Sequence, residues 1–308
     1  MLPIKIYFKR PRLLLSAIIK KFRYFIPSDK IYLKWRFRLL MGAKLNIDAP
    51  RTFCEKIHWL KLYNRRPEYT FMVDKFEVKK YVANIIGEQY IISTLGVWNN
   101  IKDIDFDSLP DKFVIKTTHD GGAFGVVICK DKKQFDIQKA KKQLDKSLKR
   151  NNFLVSREWA YKNVVPRIIA ESLLENSNNE DLIDYKFYCF NGDVKYCQVI
   201  KNRTSKETID FYDMDWNHQT FIGLNPMATN SLQPIEMPKN YMKMIEIAKQ
   251  LSADIPFVRI DLYNIDGVIY FGEMTFYPSG GFGVFKPLEW NEKLGSMIKL
   301  PVKYNADK

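Results

Sequence analysis

The stretch from 258 to 283, VRIDLYNIDGVIYFGEMTFYPSGGFG, puts acids where a β-sheet wants apolar side chains. Val258, Ile260 and Leu262 alternate with Arg259, Asp261 and Tyr263, the period of a half-buried strand. The return stretch, Val268 to Thr275, is nearly all apolar or aromatic apart from Glu273. An arginine and two carboxylates on two apolar strands are costly to bury unless something pairs with them. They can pair with one another as a salt bridge, or they can hold a divalent cation that carries a phosphate ligand.

The turn bears on that choice. With Asp266-Gly267 as a two-residue turn, Ile265 faces Val268 and the two carboxylates project from opposite faces. A three-residue loop of Ile265, Asp266 and Gly267 pairs Asn264 with Val268 instead. It places Arg259, Asp261, Phe271 and Glu273 on one face, with the carboxylates as diagonal neighbours able to share one ion. The three-residue register is the expectation. Metal and salt bridge both stay open at this point.

A chain of 308 residues can bury a sizeable core in one large domain or two or three small ones. No apolar run approaches the roughly 18–20 residues that span a bilayer, and no small-residue cleavage site follows the N-terminal apolar segment, so a secretory signal is not expected. The four cysteines, at 54, 129, 189 and 197, make no zinc pattern, and the three histidines show no HExxH spacing. Cys189 and Cys197 flank an Asn191-Gly192 turn. A two-residue turn there pairs Phe190 with Asp193 and Cys197 with Lys186, which sets the cysteines on opposite faces and predicts free thiols in a reducing compartment.

The net charge of +14 is concentrated at one end: residues 1–47 hold twelve Lys or Arg and a single acid, Asp29. Within them, RLLLSAIIKKFRYFI at 12–26 reads as a short basic amphipathic helix. It can be a packing helix with a solvated face, or it can attach to an anionic membrane surface. Nucleic acid is not expected, because no recognition module accompanies the charge. Further helices are predicted over 30–47, 51–65, about 73–86, 133–150 and 239–252. Thr52 and Glu55 have capping-box spacing, and Asp74 reads as a helix cap. Lys75 reads as a surface lysine. A buried strand, RIIAESLL, and an NG hairpin, DYKFYCF–NG–DVKYCQVI, lie on either side of the polar insert ENSNNED.

Residues 113–131, FVIKTTHDGGAFGVVICKD, read as strand, glycine-rich loop and strand. A flexible hairpin turn explains glycines by themselves. Position argues for more: the loop follows a strand-borne lysine, so backbone N–H groups of Gly121, Gly122 and Gly125 can wrap phosphate oxygens while Lys116 adds charge. No Gly-Lys-Ser/Thr follows, so this is not a Walker loop. The loop leads into a strand, so it is not a Rossmann turn either.

In order along the chain, VDK at 73–75, FVIKTTHDGGAFGV at 113–126, IIAESLL at 168–174, DYKFYCFNG at 184–192 and VRIDLY…YFGEMTFYPSGG at 258–281 resemble the ATP-grasp superfamily. Within it they resemble the TupA-like group associated with teichuronopeptide and other surface-polysaccharide biosynthesis. The spacing K-x4-G-x3-G of the D-alanine ligase branch is matched by Lys116, Gly121 and Gly125. The resemblance implies an α/β (α+β) fold, in which two subdomains at about 90–165 and 166–300 of a 70–308 domain clasp ATP. A basic helical arm, 1–69, stands where the superfamily usually has a Rossmann-like pre-domain.

The resemblance also implies roles. Lys75 would contact ATP phosphate, and Lys116 would lie between the adenine-side pocket and the phosphates, under the loop from His119 to Gly125, with Gly121, Gly122 and Gly125 in it. Glu171, Leu173 and Leu174 would form the adenine hinge, Asp184 would bind ribose, and Lys186 would lie beside the nucleotide. Asp261 and Glu273 would hold Mg2+, and Arg259 would stabilise charge on the transferring phosphoryl group. Thr275 stands where the superfamily usually has an Asn ligand; it is carried over as a third metal-site residue, a poorer ligand than an amide carbonyl, and whether one or two metal ions bind stays open. With a triphosphate in the site, the hairpin acids are read as metal ligands rather than a bare salt bridge.

The function implied is an ATP-dependent carboxylate–amine ligase acting through an acylphosphate. It would join an amino acid, the amine donor, to a uronic-acid-bearing surface polysaccharide or its precursor, as in capsule or cell-envelope assembly. Its expected place is cytoplasmic, peripheral at the inner membrane face. The alternatives are a glycan-modifying kinase or glycosyltransferase, and a non-catalytic membrane-associated scaffold with a relic nucleotide site.

Overall fold

Two tight hairpins organise the larger of the two main sheets, and each carries a one-residue irregularity that resets its register. The computed structural model describes residues 11–122, 124–176, 181–203, 205–225 and 228–303. Residues 1–10 of the basic arm, Ala123 of the glycine loop and 177–180 of the polar insert lie outside the described residues.

Among the described residues five α-helices come first: α1 (Pro11–Lys21), α2 (Asp29–Met41), α3 (Phe53–Tyr63), α4 (Tyr69–Val73) and α5 (Glu77–Ile86). Strands β1 (Thr94–Trp98), β2 (Phe113–Thr117) and β3 (Val126–Cys129) follow, then α6 (Ile137–Leu148), α7 (Asn152–Ser156) and β4 (Ile168–Ser172). These strands make an antiparallel sheet in the order β1-β4-β2-β3. Next come β5 (Asp184–Phe190), β6 (Asp193–Lys201), β7 (Thr208–Tyr212), β8 (His218–Gln219) and β9 (Ile222–Gly223). The chain closes with α8 (Tyr241–Leu251), β10 (Phe257–Ile265), β11 (Val268–Thr275), β12 (Phe285–Lys286) and α9 (Glu289–Met297). The second sheet is six-stranded and antiparallel, ordered β11-β10-β5-β6-β7-β8, while β12 pairs with β9.

The β10–β11 hairpin corrects the expected register. Asp266 (φ 53°) and Gly267 (φ 94°) form a two-residue turn, and Ile265 faces Val268. Two left-handed residues in succession match the twist of the flanking strands better than the expected three-residue loop. That turn alone would separate the acids, but the register shifts between Asp261 and Leu262, leaving Gly272 as an extra residue in β11. Beyond it Asp261 faces Glu273 directly and Arg259 faces Thr275. A Cβ on Gly272 would sit 3.0 Å from the Asp261 carbonyl oxygen, so the bulge suits a glycine.

The β5–β6 hairpin repeats the device. Asn191 and Gly192 make the expected turn, with Phe190 facing Asp193. A shift between Tyr188 and Cys189 then pairs Cys197 with Phe187 rather than with Lys186, which faces Gln198. Cys189 and Cys197 therefore share a face, contrary to the expectation, and both are buried free thiols.

The larger core joins the six-stranded sheet to the helices that precede both sheets: Leu33, Phe37, Phe53, Ile57, Val78 and Val82 pack in one cluster with Phe187, Phe211, Phe257 and Ile260. A smaller core of Phe106, Phe113, Ile115, Leu144, Ile168 and Ala170 lies under the four-stranded sheet. Thr52 caps α3 as its spacing predicts: Glu55 N donates to Thr52 Oγ1 (3.2 Å) and Thr52 N donates to Glu55 Oε2 (3.0 Å). Helix α1 behaves otherwise, with its apolar residues Leu14, Leu15 and Ile18 exposed and Ser16 buried.

Candidate functional site

Lys116 is the penultimate residue of β2, three residues before the loop from His119 to Gly125, and lies opposite Ile169 on β4. Its ammonium pairs with Glu171, and Lys79 from α5 reaches the other oxygen of the same carboxylate at 2.6 Å. Burial works to raise the Glu171 carboxyl, but the two lysines outweigh it and hold it below its ordinary range. The side chain expected at an adenine hinge is thus committed to cations. Leu173 and Leu174 follow directly, half-buried, just past the end of β4.

The loop is tied down from below. Thr117 Oγ1 and Ser147 Oγ lie 2.6 Å apart, Ser147 donates to Asp120 Oδ2 (2.9 Å), and Arg150 pairs with the same oxygen (3.3 Å). Gly125 fits against this pair: a Cβ there would collide with Ser147 Oγ and Thr117 Oγ1. Gly122 needs its glycine for a different reason, a φ of 71° with open space around it, while a Cβ at Gly121 would crowd only the Asn152 side chain. His119 is buried, and its Nε2 donates to the Arg150 carbonyl at 3.1 Å. Burial pushes this imidazole below its usual pKa. A neutral ring with its proton on Nε2 leaves Nδ1 as an acceptor, and Nδ1 has no partner among the described residues.

Lys75 joins the two halves. From sequence it reads as a surface lysine, but its N–H donates to the Thr118 carbonyl (3.1 Å) and its ammonium to the Asp120 carbonyl. Burial lowers its pKa, with Lys116 adding to the effect and Glu273 and Asp120 opposing it. It is bonded to the glycine-loop side, and its charge is felt at Glu273 of the acidic hairpin. Asp74 accepts from Phe76 N (2.8 Å) and from Glu77 N at the start of α5 (3.2 Å), and it also binds Arg167 (2.9 Å).

On the six-stranded sheet, Arg259, Asp261, Glu273 and Thr275 form a square. Arg259 grips Asp261 with two hydrogen bonds, Nε to Oδ1 (2.6 Å) and Nη2 to Oδ2 (2.7 Å), and reaches Glu273 Oε1 and Thr275 Oγ1 at 3.1 Å. Lys186, opposite Asp261 on β5, pairs with Asp261 and, at 3.1 Å, with Asp184. Arg203 takes the other Asp184 oxygen at 2.7 Å. Thr275 Oγ1 also donates to Glu273 Oε1 (3.1 Å). Glu273 differs from Asp261 in access, with 41% of its side chain exposed against 6%. Burial acts to raise the Glu273 carboxyl, yet Arg259, Lys186 and Lys75 hold it at about 2.

These residues can accept one magnesium ion if a phosphate completes it. Among the described residues no three His, Cys, Asp or Glu side chains gather as a metal-binding group. Two adjacent carboxylates and a hydroxyl are, however, the kind of partial protein set Mg2+ uses when nucleotide phosphates and water supply the rest. Glu273 is the ligand best placed, because both hydrogen bonds it accepts go to Oε1.

Sequence reasoning missed Lys61. Lys61 on α3 has no exposed surface and donates to the Ser156 (2.9 Å) and Gly280 (2.7 Å) carbonyls, beside the loop at 278–281. Burial lowers its pKa to about 8 despite the opposing pull of Glu158. In FCEKIHWLKLY it looks like any polar helix position, because its partners are remote in the chain.

A depressed folded pKa means the unfolded chain binds the Lys61 proton more readily between about pH 8 and its ordinary value of 10.5. Stability from this group is therefore present above the unfolded value and lost as pH falls through about 8. The shift corresponds to about 3 kcal/mol. Relative to Lys61→Met, wild type should gain stability from pH 8 to 10 in denaturant titrations. Parallel curves would show that Lys61 titrates normally.

A family model described as TupA-like ATP-grasp matches residues 55–299, about four fifths of the chain. The chain belongs to the TupA-like ATP-grasp family. Its mixed architecture of helices and two main antiparallel sheets is the α+β ATP-grasp fold. The family match reaches back into α3, so it includes Lys61.

Among solved structures, a D-alanine–D-alanine ligase from Bacillus anthracis is 16% identical, with a TM-score of 0.39 over 68% of this chain and 58% of that one. The corresponding ligase from Helicobacter pylori is 13% identical, with a TM-score of 0.42 over 80% and 69%. A phosphoribosylamine–glycine ligase from Thermotoga maritima is 16% identical, with a TM-score of 0.36 over 68% and 48%. The chain spans little more than half the length of the Bacillus anthracis enzyme, and these likenesses are too loose to add to the family match. The search of curated proteins returned no match.

Proposed function

We propose that this TupA-like ATP-grasp chain is an ATP-dependent carboxylate–amine ligase that works through an acylphosphate. We further propose that it joins an amino acid to a uronic-acid-bearing surface polysaccharide or its precursor. The supporting observation is the position of Lys75, bonded to the glycine loop through Thr118 and Asp120 while its charge helps keep Glu273 ionised. One lysine thus links a cation-lined loop to an accessible carboxylate, a layout suited to a triphosphate.

In this reading, a substrate carboxylate oxygen forms a bond to the γ-phosphorus as the bond to ADP breaks. The amine nitrogen then attacks the acyl carbon, phosphate leaves, and the nitrogen gives up its proton. Lys116 and Lys75 would bind and orient the phosphates, and Arg259 would stabilise the charge that develops in transfer. Bound magnesium, held by Glu273 with Asp261 and Thr275, would neutralise phosphate charge and orient the transferring group. Arg259 would need to release part of its grip on Asp261 to act on the phosphoryl group. The polysaccharide acceptor rests on the family alone.

The test is to incubate the protein with Mg-ATP, an amino acid and uronic-acid oligosaccharides, with hydroxylamine added to trap acylphosphate. ADP together with a hydroxamate is the expected result. AMP, UDP or a stable phosphorylated glycan as product would sink this mechanism.

A further inference from the structure

Independently of the ligase reading, we propose that α1 and the adjoining face of α2 lie on an anionic membrane surface. Helix α1 is turned the opposite way from a packing helix. Ser16, its one uncharged polar residue, is 3% exposed, while Leu14, Leu15, Ile18 and, just beyond, Phe22 and Phe25 face outward with Trp35 of α2 beside them. Leu14, Leu15, Ile18 and Phe22 fall within about 100° of one another at 3.6 residues per turn, so they make one apolar stripe. Phe25 is 80% exposed. A continuous apolar stripe of this kind marks an interaction site rather than ordinary surface.

The charge around the stripe selects the partner. Arg12, Lys20, Lys21, Lys34 and Arg38 are all exposed. Asp29, the one acid among residues 1–47, is turned away and neutralised by Arg65 at 2.6 Å and Arg157 at 3.3 Å. A groove of about 400 Å³ between α1 and α2 has Leu15, Ile19, Trp35 and Leu39 in its walls, with Arg12 and Arg38 lining it as well. Apolar walls beside two guanidinium groups suit an acyl chain with an anionic headgroup better than a neutral protein surface. The 11 described residues of α1 are about 16 Å long, half the hydrocarbon thickness of a bilayer, so the helix fits in the interfacial plane rather than across it.

The experiment uses the full chain, sedimented with vesicles of phosphatidylcholine alone or with added phosphatidylglycerol. The protein should pellet with the phosphatidylglycerol vesicles and not with the neutral ones, and raised salt should release it. Phe22→Ser combined with Phe25→Ser should weaken binding by about tenfold or more, while its melting temperature stays at the wild-type value because both rings are exposed. Equal binding to both vesicle types, no binding to either, or an unchanged affinity of the double variant would overturn the proposal. So would a dimer by light scattering that the double variant dissolves, since a second copy would then be the occupant of this face.

Discussion

Replacing Glu273 by glutamine is expected to remove the magnesium-dependent part of nucleotide binding and to lower ADP formation by about 100-fold or more. Glutamine keeps the size of the side chain and an acceptor oxygen, so Arg259 and Thr275 can still donate to it as they do to Oε1. Only the charge is lost, and with it the centre around which Lys75, Lys186 and Arg259 gather. If the acids serve only as a salt bridge, Glu273→Gln should bind Mg-ATP like wild type, as read by thermal shift with and without magnesium.

The same variant carries a pH signature. With its folded pKa held at about 2, below the ordinary 4.5, Glu273 contributes stability that is fully present above about pH 4.5. That contribution is lost as pH falls through about 2. With 41% of the side chain exposed, solvent screening limits it to about 1 kcal/mol. The gap in melting temperature between wild type and Glu273→Gln should therefore narrow as pH drops below 4.5, and a gap independent of pH would show that the carboxylate charge is not what the cations stabilise.

The acidic hairpin was legible because Asp261 and Glu273 interrupt an otherwise apolar pattern. Its register was not, because a single inserted residue decides which face each side chain takes. Gly272 gave the available clue, a glycine inside a strand, where bulges are common. The NG hairpin shows the same limit: its turn was readable and its interior shift was not. Strand and helix positions near the glycine loop followed from apolar periodicity, since that signal is local.

The packing of Lys75 and of Lys61 escaped a reading by periodicity for a common reason, although the family resemblance did assign Lys75 to the phosphates. Each is a lysine on or beside a helix, and its burial comes from segments distant in the chain: Thr118 and Asp120 for one, Ser156 and Gly280 for the other. Helix α1 marks a further limit. Periodicity identified its apolar stripe, but only packing shows which way the stripe faces.

Gly295→Ala is expected to destabilise the whole protein by about 3 kcal/mol, the upper part of the range for overpacking a tight contact. Gly295 lies on α9 where that helix crosses the start of α3. A Cβ built there lies 2.6 Å from Phe53 N and from Thr52 C, and closer still to the Arg51 carbonyl oxygen. All three are backbone atoms of the capped helix start, so no side chain can swing aside to make room. The crossing is further pinned by Cys54 N donating to Asn291 Oδ1 (3.1 Å) and by the Lys56 ammonium donating to the Ile298 carbonyl (2.7 Å). To accept the methyl group, α3 must shift, and α3 carries Phe53 and Ile57 into the larger core and Lys61 to the loop at Gly280. Ser296→Ala, one position along on the exposed side, should stay within about 0.5 kcal/mol of wild type. Denaturant titration with a single transition that moves for Gly295→Ala and not for Ser296→Ala would show that the helices before residue 70 fold as part of the ATP-grasp core. A separate early transition for Gly295→Ala, with the main one unmoved, would instead make residues 1–69 a detachable arm.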